Sequence, residues 1–503
     1  MSETTHFIAV DLGASNGRMF VGQWDGARFR LDELHRFPNG PVTVRGHIYW
    51  DVLHLWSQVQ AGLARYASRP DAALVSVGVD AWGCDFGLLD AAGHLLGNPH
   101  HYRDPRTEGV MERVRERVPA ARLFEMTGGV QVSPANTLYQ LLSMVETKDP
   151  QLKTARTLLW MPDLFHYWLS GRGVAEHTIA STSQMFDCRR TDWATGLMNE
   201  LGLPTDILAP LVPAGAVLGE LMREVRDLTG LGSGIQVVAP GSHDTAVAVA
   251  AVPEMDEAGA FISSGTWSLV GIEGRAPMIN ERVRALNAGN ECGVAGTVQV
   301  LKNVTGMWLL QQCRGHWRRE GEDFEWDELQ HLAEAAPPFR SLIDPDHPDF
   351  WNPDDMPAAI RAFCRRTGQP APETVGETVR CCLESLALKY RYLIDGLETA
   401  TGRKLTTVRI VGGGSRNQLL CRMTAEVCGR TVAAGPVEAT ALGNVMMQAV
   451  TAGHLRDLAE GRRAIALSVE RQYYEPRSDW DHGAEVERFS ALLDVTTSTL
   501  ERN

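Results

Sequence analysis

The sequence predicts a mixed α/β protein organised as two large domains. The chain has 503 residues, more than one hydrophobic core usually organises. Apolar strand-like runs mix with helical periodicity along its length, with no coiled-coil or solenoid period. A loose internal likeness adds to this. "HFIAVDLGASNGRMFVGQW" near the start and "GAFISSGTWSLVGIE" near the middle each place an apolar strand, a Gly-containing turn with small hydroxyl residues, and a second apolar strand. Two related halves meeting near residue 250 are therefore expected, with domains at 1–248 and 249–503.

The elements run in order. Residues 7–36 read as three strands, "FIAVDL", "GRMFVGQWD" and "RFRLDELHRF", separated by Gly-containing turns. A helix is expected from Asp51 to Tyr66, with Asp51 as its N-cap. The strand "LVSVGVD", the turn "AWGCD" and the strand "FGLLD" come next, then helical segments over 106–118, 137–147 and 162–169. The stretch 313–375 is rich in Trp, Pro and charge, and reads as a peripheral insertion of short helices. A strong amphipathic helix over 374–400 returns the chain to the strand "TTVRIVGG" and a helix over 417–428.

Composition narrows the partners. The formal charge is −14, and nearly all positive charge is Arg, since Lys occurs only at 148, 153, 302, 389 and 404. Scattered basic residues argue against a nucleic-acid face, which needs concentrated positive charge; a small anion needs only a local donor cluster. "MSETTHF" shows no secretory signal and no apolar stretch is long enough to span a bilayer, so a cytoplasmic protein is expected. The nine cysteines lack metal-ligand spacing and read as reduced, mostly buried thiols.

Three turns can carry chemistry. The first, Asp11 to Arg18, comes directly after a strand. Gly13 and Gly17 permit positive φ and close backbone approach. Ser15, Asn16 and the intervening N–H groups can donate to phosphate oxygens, Arg18 adds charge, and Asp11 can face a hydrated Mg²⁺. Asn16-Gly17 is also a hairpin signal, and a phosphate-binding hairpin satisfies both readings. The same residues match G-x-S-x-G, the nucleophile elbow of α/β-hydrolases. That elbow needs a helix after the serine, and a strand-like run stands there instead. The second turn, Ser263 to Ser268, offers hydroxyls around one Gly, a common pattern by itself. The third, Val411 to Asn417, has three glycines before a helix whose N-terminus can face an anion. Asn417 stands where a dinucleotide fingerprint needs its last Gly, and no Gly-Lys pair supplies a Walker A motif.

Between two aliphatic runs, "VVAPGSHDTAVAVAAV" is interrupted by Gly241-Ser242-His243-Asp244-Thr245. Ser242 or Asp244 capping the next helix accounts for it on structural grounds alone. A carboxylate poised to take a proton from a sugar hydroxyl accounts for it equally well. Consecutive residues cannot form a Ser-His-Asp triad, because neighbouring side chains diverge.

Taken in order, Asp11–Arg18, "GVDAWGCDF", "GSHDT", "SSGTWSL", "LKNVTGMWLLQ" and "IVGGGSRN" resemble the FGGY family of carbohydrate kinases along nearly the whole chain. "LHRFPNG…YWD", "YRDPRT", "NTLYQL", "LLWMPD" and "AGPVEATALGN" look like one subgroup within it, kinases that phosphorylate the 1-hydroxyl of L-rhamnulose.

That resemblance implies two actin-like (ribonuclease H-like) α/β domains with the active site in the cleft between them. It implies ATP-dependent phosphorylation of a ketose, with Mg²⁺, by a monomer or homodimer that binds neither nucleic acid nor membrane. The sugar and phosphate side would fall to 1–248 and the nucleotide side to 249–503. Carried over residue by residue, Ala14, Ser15, Asn16, Gly17, Arg18 and Thr266 would contact ATP phosphates. Gln311 and Gly413 would lie along the nucleotide, with Gly412, Gly414 and Asn417 supporting the adenosine end. Asp11 would face the metal through water. Gly83, His243, Asp244, Thr245 and Asn303 would line the sugar pocket, with Asp244 as catalytic proton acceptor. One place departs from the subgroup: Ala81 stands where a Thr is usual. A lost hydroxyl there would shift preference toward an epimeric sugar such as L-fuculose; a neutral packing change is the other reading.

Overall fold

The computed structural model describes residues 4–69, 73–129, 131–477 and 482–500, with side chains through 494. The expectation for "MSETTHF" falls partly on residues 1–3, which lie outside the described residues. Two compact units form. The first comprises Met1–Met255, Glu273–Leu301 and Glu438–Val469; the second comprises Asp256–Ile272, Lys302–Val437 and Glu470–Asn503.

The first unit is built on a six-stranded sheet whose central strands are Gln236–Ala239, Leu74–Ala81 and Thr5–Leu12, all parallel. Thr5–Leu12 is buried from His6 onward, as a strand covered on both faces must be. Asn16–Trp24 and Phe29–Pro38 extend one edge antiparallel, and Ala216–Glu220 closes the other. Because the three central strands run the same way, the loops after Leu12, Ala81 and Ala239 leave one end of the sheet. That is the end at which open α/β sheets bind ligands.

The first hairpin differs in detail from its sequence signal. The closing pair is Leu12↔Gly17, with the Gly13 N–H donating to the Asn16 carbonyl at 3.0 Å. Asn16 and Gly17 thus open the second strand, and neither Gly13 nor Gly17 takes a positive φ. Packing explains Gly17, since a Cβ there would meet the Phe37 ring at 2.1 Å. The chain after Ser15 forms the strand Asn16–Trp24, not a helix, so the nucleophile-elbow reading fails on its own structural requirement.

The helix Val52–Ala67 starts where expected, with the Asp51 carboxylate accepting from the His54 N–H. The single helix expected over 106–118 divides instead into a short turn, Pro105–Thr107, and the helix Val110–Arg117, because Gly109 between them takes φ 71°. Among the described residues, 313–375 holds helices and no strand, including Trp326–Ala335 and Met356–Arg366.

The second unit repeats the hairpin plan. Gly259–Ser264 pairs antiparallel with Trp267–Gly274 and parallel with Thr407–Val411, which runs parallel with Thr431–Ala434. The long helix Val375–Thr401 begins at a capping box of Thr374 and Glu377. It carries Cys381 and Cys382, and all nine cysteines are unpaired thiols.

In the first unit, the helix Ala439–Thr451 packs on the strands Thr5–Leu12 and Leu74–Ala81 and against the helix Asp244–Ala250. The closest crossing is at Gly443, where a Cβ would stand 1.9 Å from the Val247 carbonyl oxygen. No rotamer relieves a clash with backbone. Gly443→Ala is therefore expected to lose at least about 1–3 kcal/mol, the usual cost of overpacking a core, in urea unfolding. A loss below the lower bound would mean that the two helices separate easily.

Candidate active site

A row of charged residues crosses the ends of the central strands of the first unit. Asp11 is the cross-strand partner of Arg18 on one side and of Asp80 on the other. Residues opposite one another in register share a face, so Arg18, Asp11 and Asp80 form one line. Arg18 Nη2 donates to Asp11 Oδ2 at 2.6 Å, and its Nη1 donates to Glu438. The guanidinium expected to serve phosphates thus spends both terminal nitrogens on carboxylates, and without it Asp11 would be buried without compensation. The Asp11 side chain is only 6% exposed. Burial pushes its carboxyl up to about 6, against the pull of Arg18 and with the added push of Asp244.

Asp80 is fully buried. Its Oδ2 accepts from Asn444 Nδ2 at 2.6 Å, and its Oδ1 has no hydrogen-bond partner. Burial, then the neighbouring Asp11, raise it well above the carboxylate range. Asn444 is itself fixed by Gln448, which accepts from the Ser76 hydroxyl and donates to the Ile8 carbonyl. A buried polar chain thus runs along the sheet to end at Asp80.

The loop after Ala239 brings in the remaining charges. Gly241 takes φ 139°, and a Cβ there would meet Val294 at 2.7 Å, so glycine is needed at this corner. Two buried groups hang the loop in place. Ser242 N–H donates to Glu176 at 2.8 Å, and His243 N–H donates to the Thr178 hydroxyl at 3.0 Å. His243 then occupies the N-cap position of the helix Asp244–Ala250 without a side-chain cap bond, and the buried Ser242 hydroxyl has no partner. Neither Ser242 nor Asp244 caps, because Asp244 is already the first helical residue.

His243 joins two acids. Its Nδ1 lies 3.1 Å from Glu291 Oε2 and its Nε2 lies 3.5 Å from Asp244 Oδ1. The Glu291 approach is close enough for ion pairing but not aligned as a hydrogen bond. Burial works to lower the His243 pKa, but Glu291 and Asp244 outweigh it and the net shift is upward. Asp244 is raised chiefly by burial, with His243 and the Thr245 hydroxyl opposing. Its side chain is nevertheless 31% exposed, against 6% for Glu291 and 8% for His243. Asp244 is thus the acid of this group that can meet a reactant.

In the 82–85 loop the positive φ belongs to Cys84, not Gly83. Gly83 instead packs on Thr182, whose atoms a Cβ would meet at 3.0–3.1 Å. Asp85 organises the loop by accepting from the indoles of Trp50 (2.6 Å) and Trp82 (3.0 Å) and from the Gln140 amide. Ala81 is fully buried, and its N–H donates to the Ser242 carbonyl.

In the second unit, Thr266 and Gln311 meet, with the Thr266 hydroxyl donating to Gln311 Oε1 at 3.3 Å. The helix Trp308–Arg319 is tied to this turn through Met307 and Trp308 N–H donors. The three glycines have different tasks. Gly412 takes φ 82° and, like Gly414, has no room for a Cβ beside Ser264, whereas Gly413 faces open space. Asn417 caps the helix Gln418–Cys428 by accepting from Leu420 N–H. Asn303, grouped with the sugar residues by resemblance, lies in the second unit, while Gly83, His243, Asp244 and Thr245 lie in the first.

Asp80, Glu176, Glu291, Glu438 and Asn444 were not singled out from the sequence. Asp80 and Glu438 sit inside recognisable stretches, and an acid at a buried strand end was a usable signal for Asp80. Glu291 has no local signal; only the pairing of Gly289–Cys292 with Val298–Thr305 and the packing on His243 reveal it.

Solved structures show what class of protein carries this fold. A gluconate kinase from Lactobacillus acidophilus superposes with a TM-score of 0.77 at 15% identity, over 99% of this chain and 98% of that one. A glycerol kinase from Plasmodium falciparum with ADP gives 0.76 at 14% identity over the same shares. The architecture is that of the sugar kinases of the actin-like ATPase fold. Family models narrow this: residues 6–251 match the N-terminal domain of the FGGY family of carbohydrate kinases and residues 260–452 match its C-terminal domain. The chain belongs to that family. It is 44% identical to a rhamnulokinase of Bacteroides thetaiotaomicron over 95% of this chain and 97% of that protein. A rhamnulokinase of Enterococcus faecalis is 38% identical over 94% of each.

The state of Asp80 is open to measurement. A folded-state carboxyl raised above its unfolded value makes folding take up a proton, so stability is lost as pH rises through the folded pKa. Asp80→Asn removes that loss and keeps an oxygen for Asn444. Its melting temperature relative to wild type should therefore increase as pH rises above the ordinary carboxylate range. A difference independent of pH would mean that Asp80 ionises like an ordinary carboxylate.

Proposed function

We propose that this chain transfers the γ-phosphoryl group of ATP to the 1-hydroxyl of L-rhamnulose, giving L-rhamnulose 1-phosphate and ADP. The observation that carries the reading is the half-open Asp244 carboxylate beside His243, in a chain that aligns with rhamnulokinases over nearly its full length. In this reading Asp244 accepts the hydroxyl proton as the oxygen attacks phosphorus. A carboxylate raised by burial is a better base than one in water, and the adjacent His243 favours its ionised form.

Gly83, His243, Thr245 and Asn303 hold the sugar. His243 is anchored by Glu291 and by the Thr178 hydroxyl, so its ring can orient a sugar oxygen without moving. Ala14, Ser15, Asn16 and Gly17 present backbone and small polar donors to the phosphates. Arg18 acts on that turn mainly through Asp11. Thr266 and Gln311, already hydrogen-bonded to each other, take the phosphate and nucleotide, while Gly413 offers its open face with Gly412, Gly414 and Asn417 shaping the turn. Apart from Asn303 and Thr266, the sugar and phosphate functions would fall to 1–248 and the nucleotide function to 249–503.

The carboxylate oxygens of Asp11 and Asp80, one of them buried without a partner, are hard donors of the kind Mg²⁺ takes. Mg²⁺ bound with ATP would neutralise the charge of the transferring phosphoryl group, and Asp11 would face it through water. The enzyme would work in the cytoplasm as a monomer or homodimer. No helix among the described residues is long and apolar enough to cross a membrane.

Ala81 bears on sugar choice. Its side chain is buried at the strand end and its contribution to the loop is a backbone hydrogen bond. This supports a packing change over a lost sugar contact, and so L-rhamnulose over L-fuculose.

An ADP-release assay over L-rhamnulose, L-fuculose, L-xylulose, L-ribulose and D-xylulose tests the assignment, with highest kcat/KM expected for L-rhamnulose. Preference for another ketose would overturn the sugar and leave the kinase reading intact; no response to any ketose would favour a sugar-sensing actin-like protein. Separately, Asp244→Asn should retain the fold and ATP binding and lose turnover by about 10²-fold or more, the usual scale for a general base. Turnover near wild type would remove Asp244 from proton transfer.

A further inference from the structure

We infer that His47, His100 and Asp104 form a binding site for a late first-row divalent cation, of the Zn²⁺ or Ni²⁺ class. None of the three belongs to the acidic row or to the residues assigned above to sugar and ATP. One potential ligand atom from each lies within 4.8 Å of the others.

The backbone brings them together. His47 opens the strand His47–Trp50, His100 is bridged to Tyr49, and Asp104 caps the turn Pro105–Thr107. Trp50 N–H donates to Pro99 and His101 N–H donates to Ile48, each at 2.9 Å, so the two segments are laced on either side of His100.

The Asp104 carboxylate is held as a metal ligand needs to be. Asp104 Oδ2 accepts from Ile48 N–H at 2.6 Å, and its Oδ1 accepts from Arg106 N–H at 3.0 Å. Such outer partners hold a coordinating carboxylate in place. The Tyr49 ring packs on the His100 imidazole at 4.5 Å between centroids, and the two imidazoles stand 5.9 Å apart, edge to face. The Asp104 side chain is 1% exposed and that of His47 is 49% exposed. The site therefore has a fixed floor and an open side, with solvent free to fill further coordination positions.

Arg106, whose backbone N–H serves Asp104, brings a positive charge near the site that opposes a bound cation, so binding should be weaker than at structural zinc sites. Two imidazoles and one carboxylate suit Zn²⁺, Ni²⁺ or Cu²⁺, whereas Mg²⁺ demands an oxygen shell. A surface ion pair alone accounts for His47 and Asp104, which lie 3.3 Å apart. His100, packed on Tyr49, brings a third potential ligand atom to the same point.

A bound ion would fasten together the segments that serve Asp85. Trp50 supplies its indole donor from one of them, and Tyr102 supplies a backbone N–H at 3.2 Å from the other.

The test uses the full chain, stripped by chelator and held in millimolar Mg²⁺, titrated calorimetrically with ZnSO₄ and then with NiCl₂. One ion per chain is expected. His47→Gln, at a half-exposed position that leaves folding intact, and His100→Ala should each weaken binding by about tenfold or more. Zn²⁺ should also raise the melting temperature of wild type and not that of His47→Gln. Binding by His47→Gln as tight as by wild type would overturn the site, as would displacement of Zn²⁺ by equimolar Mg²⁺.

Discussion

Arg18 faces Asp11 across two antiparallel strands while Asp11 faces Asp80 across two parallel ones, and the first unit is arranged around that row. Acids placed side by side at buried strand ends repel one another and lose hydration. The guanidinium offsets part of this through Asp11 and Glu438, and Asn444 satisfies one oxygen of Asp80. Glu438 is the N-cap residue of the helix Ala439–Thr451 and Asn444 lies within it. One helix therefore sets both the charge balance of the row and, through Gly443, the position of the helix that starts at Asp244.

The loop carrying His243 and Asp244 obeys the same logic at a smaller scale. Glu176 and Thr178, both buried, spend their oxygens on the backbone of Ser242 and His243. Glu291 spends its charge on the His243 ring. Fixed partners thus account for the groups of this loop apart from the Ser242 hydroxyl and the exposed face of Asp244. The unpartnered hydroxyl of Ser242 and the bare oxygen of Asp80 are costs that stability alone does not explain, and such costs concentrate where a protein handles a substrate.

The two units use one topology for different chemistry. Each has an antiparallel hairpin whose first strand runs parallel to its next neighbour in the sheet. In the first unit the strand ends carry acids and one arginine. In the second they carry Ser264, Thr266 and the run Gly412–Gly414, so backbone and hydroxyl groups replace charge. Gly412 and Gly414 are spent on approaching Ser264, which leaves Gly413 as the open surface of that turn.

Local pattern determined much of this protein. Apolar runs and turn residues marked the strands found at 5–12, 16–24 and 74–81, with ends differing by a residue or two, Asp51 marked its helix, and the ordered motifs identified the kinase family. These features depend on residues within a few positions of one another, where spacing is itself geometry. Tertiary structure alone decided the partners. Glu291 reaches His243, Glu438 reaches Arg18 and Asn444 reaches Asp80 across 48, 420 and 364 positions respectively. It also reversed local readings: Ser242 does not cap, and Gly17 answers to the Phe37 ring instead of a turn. Sequence specifies what each strand can bury, but hydrogen-bond partners and charge neighbours depend on which elements pack side by side. That choice belongs to the whole chain.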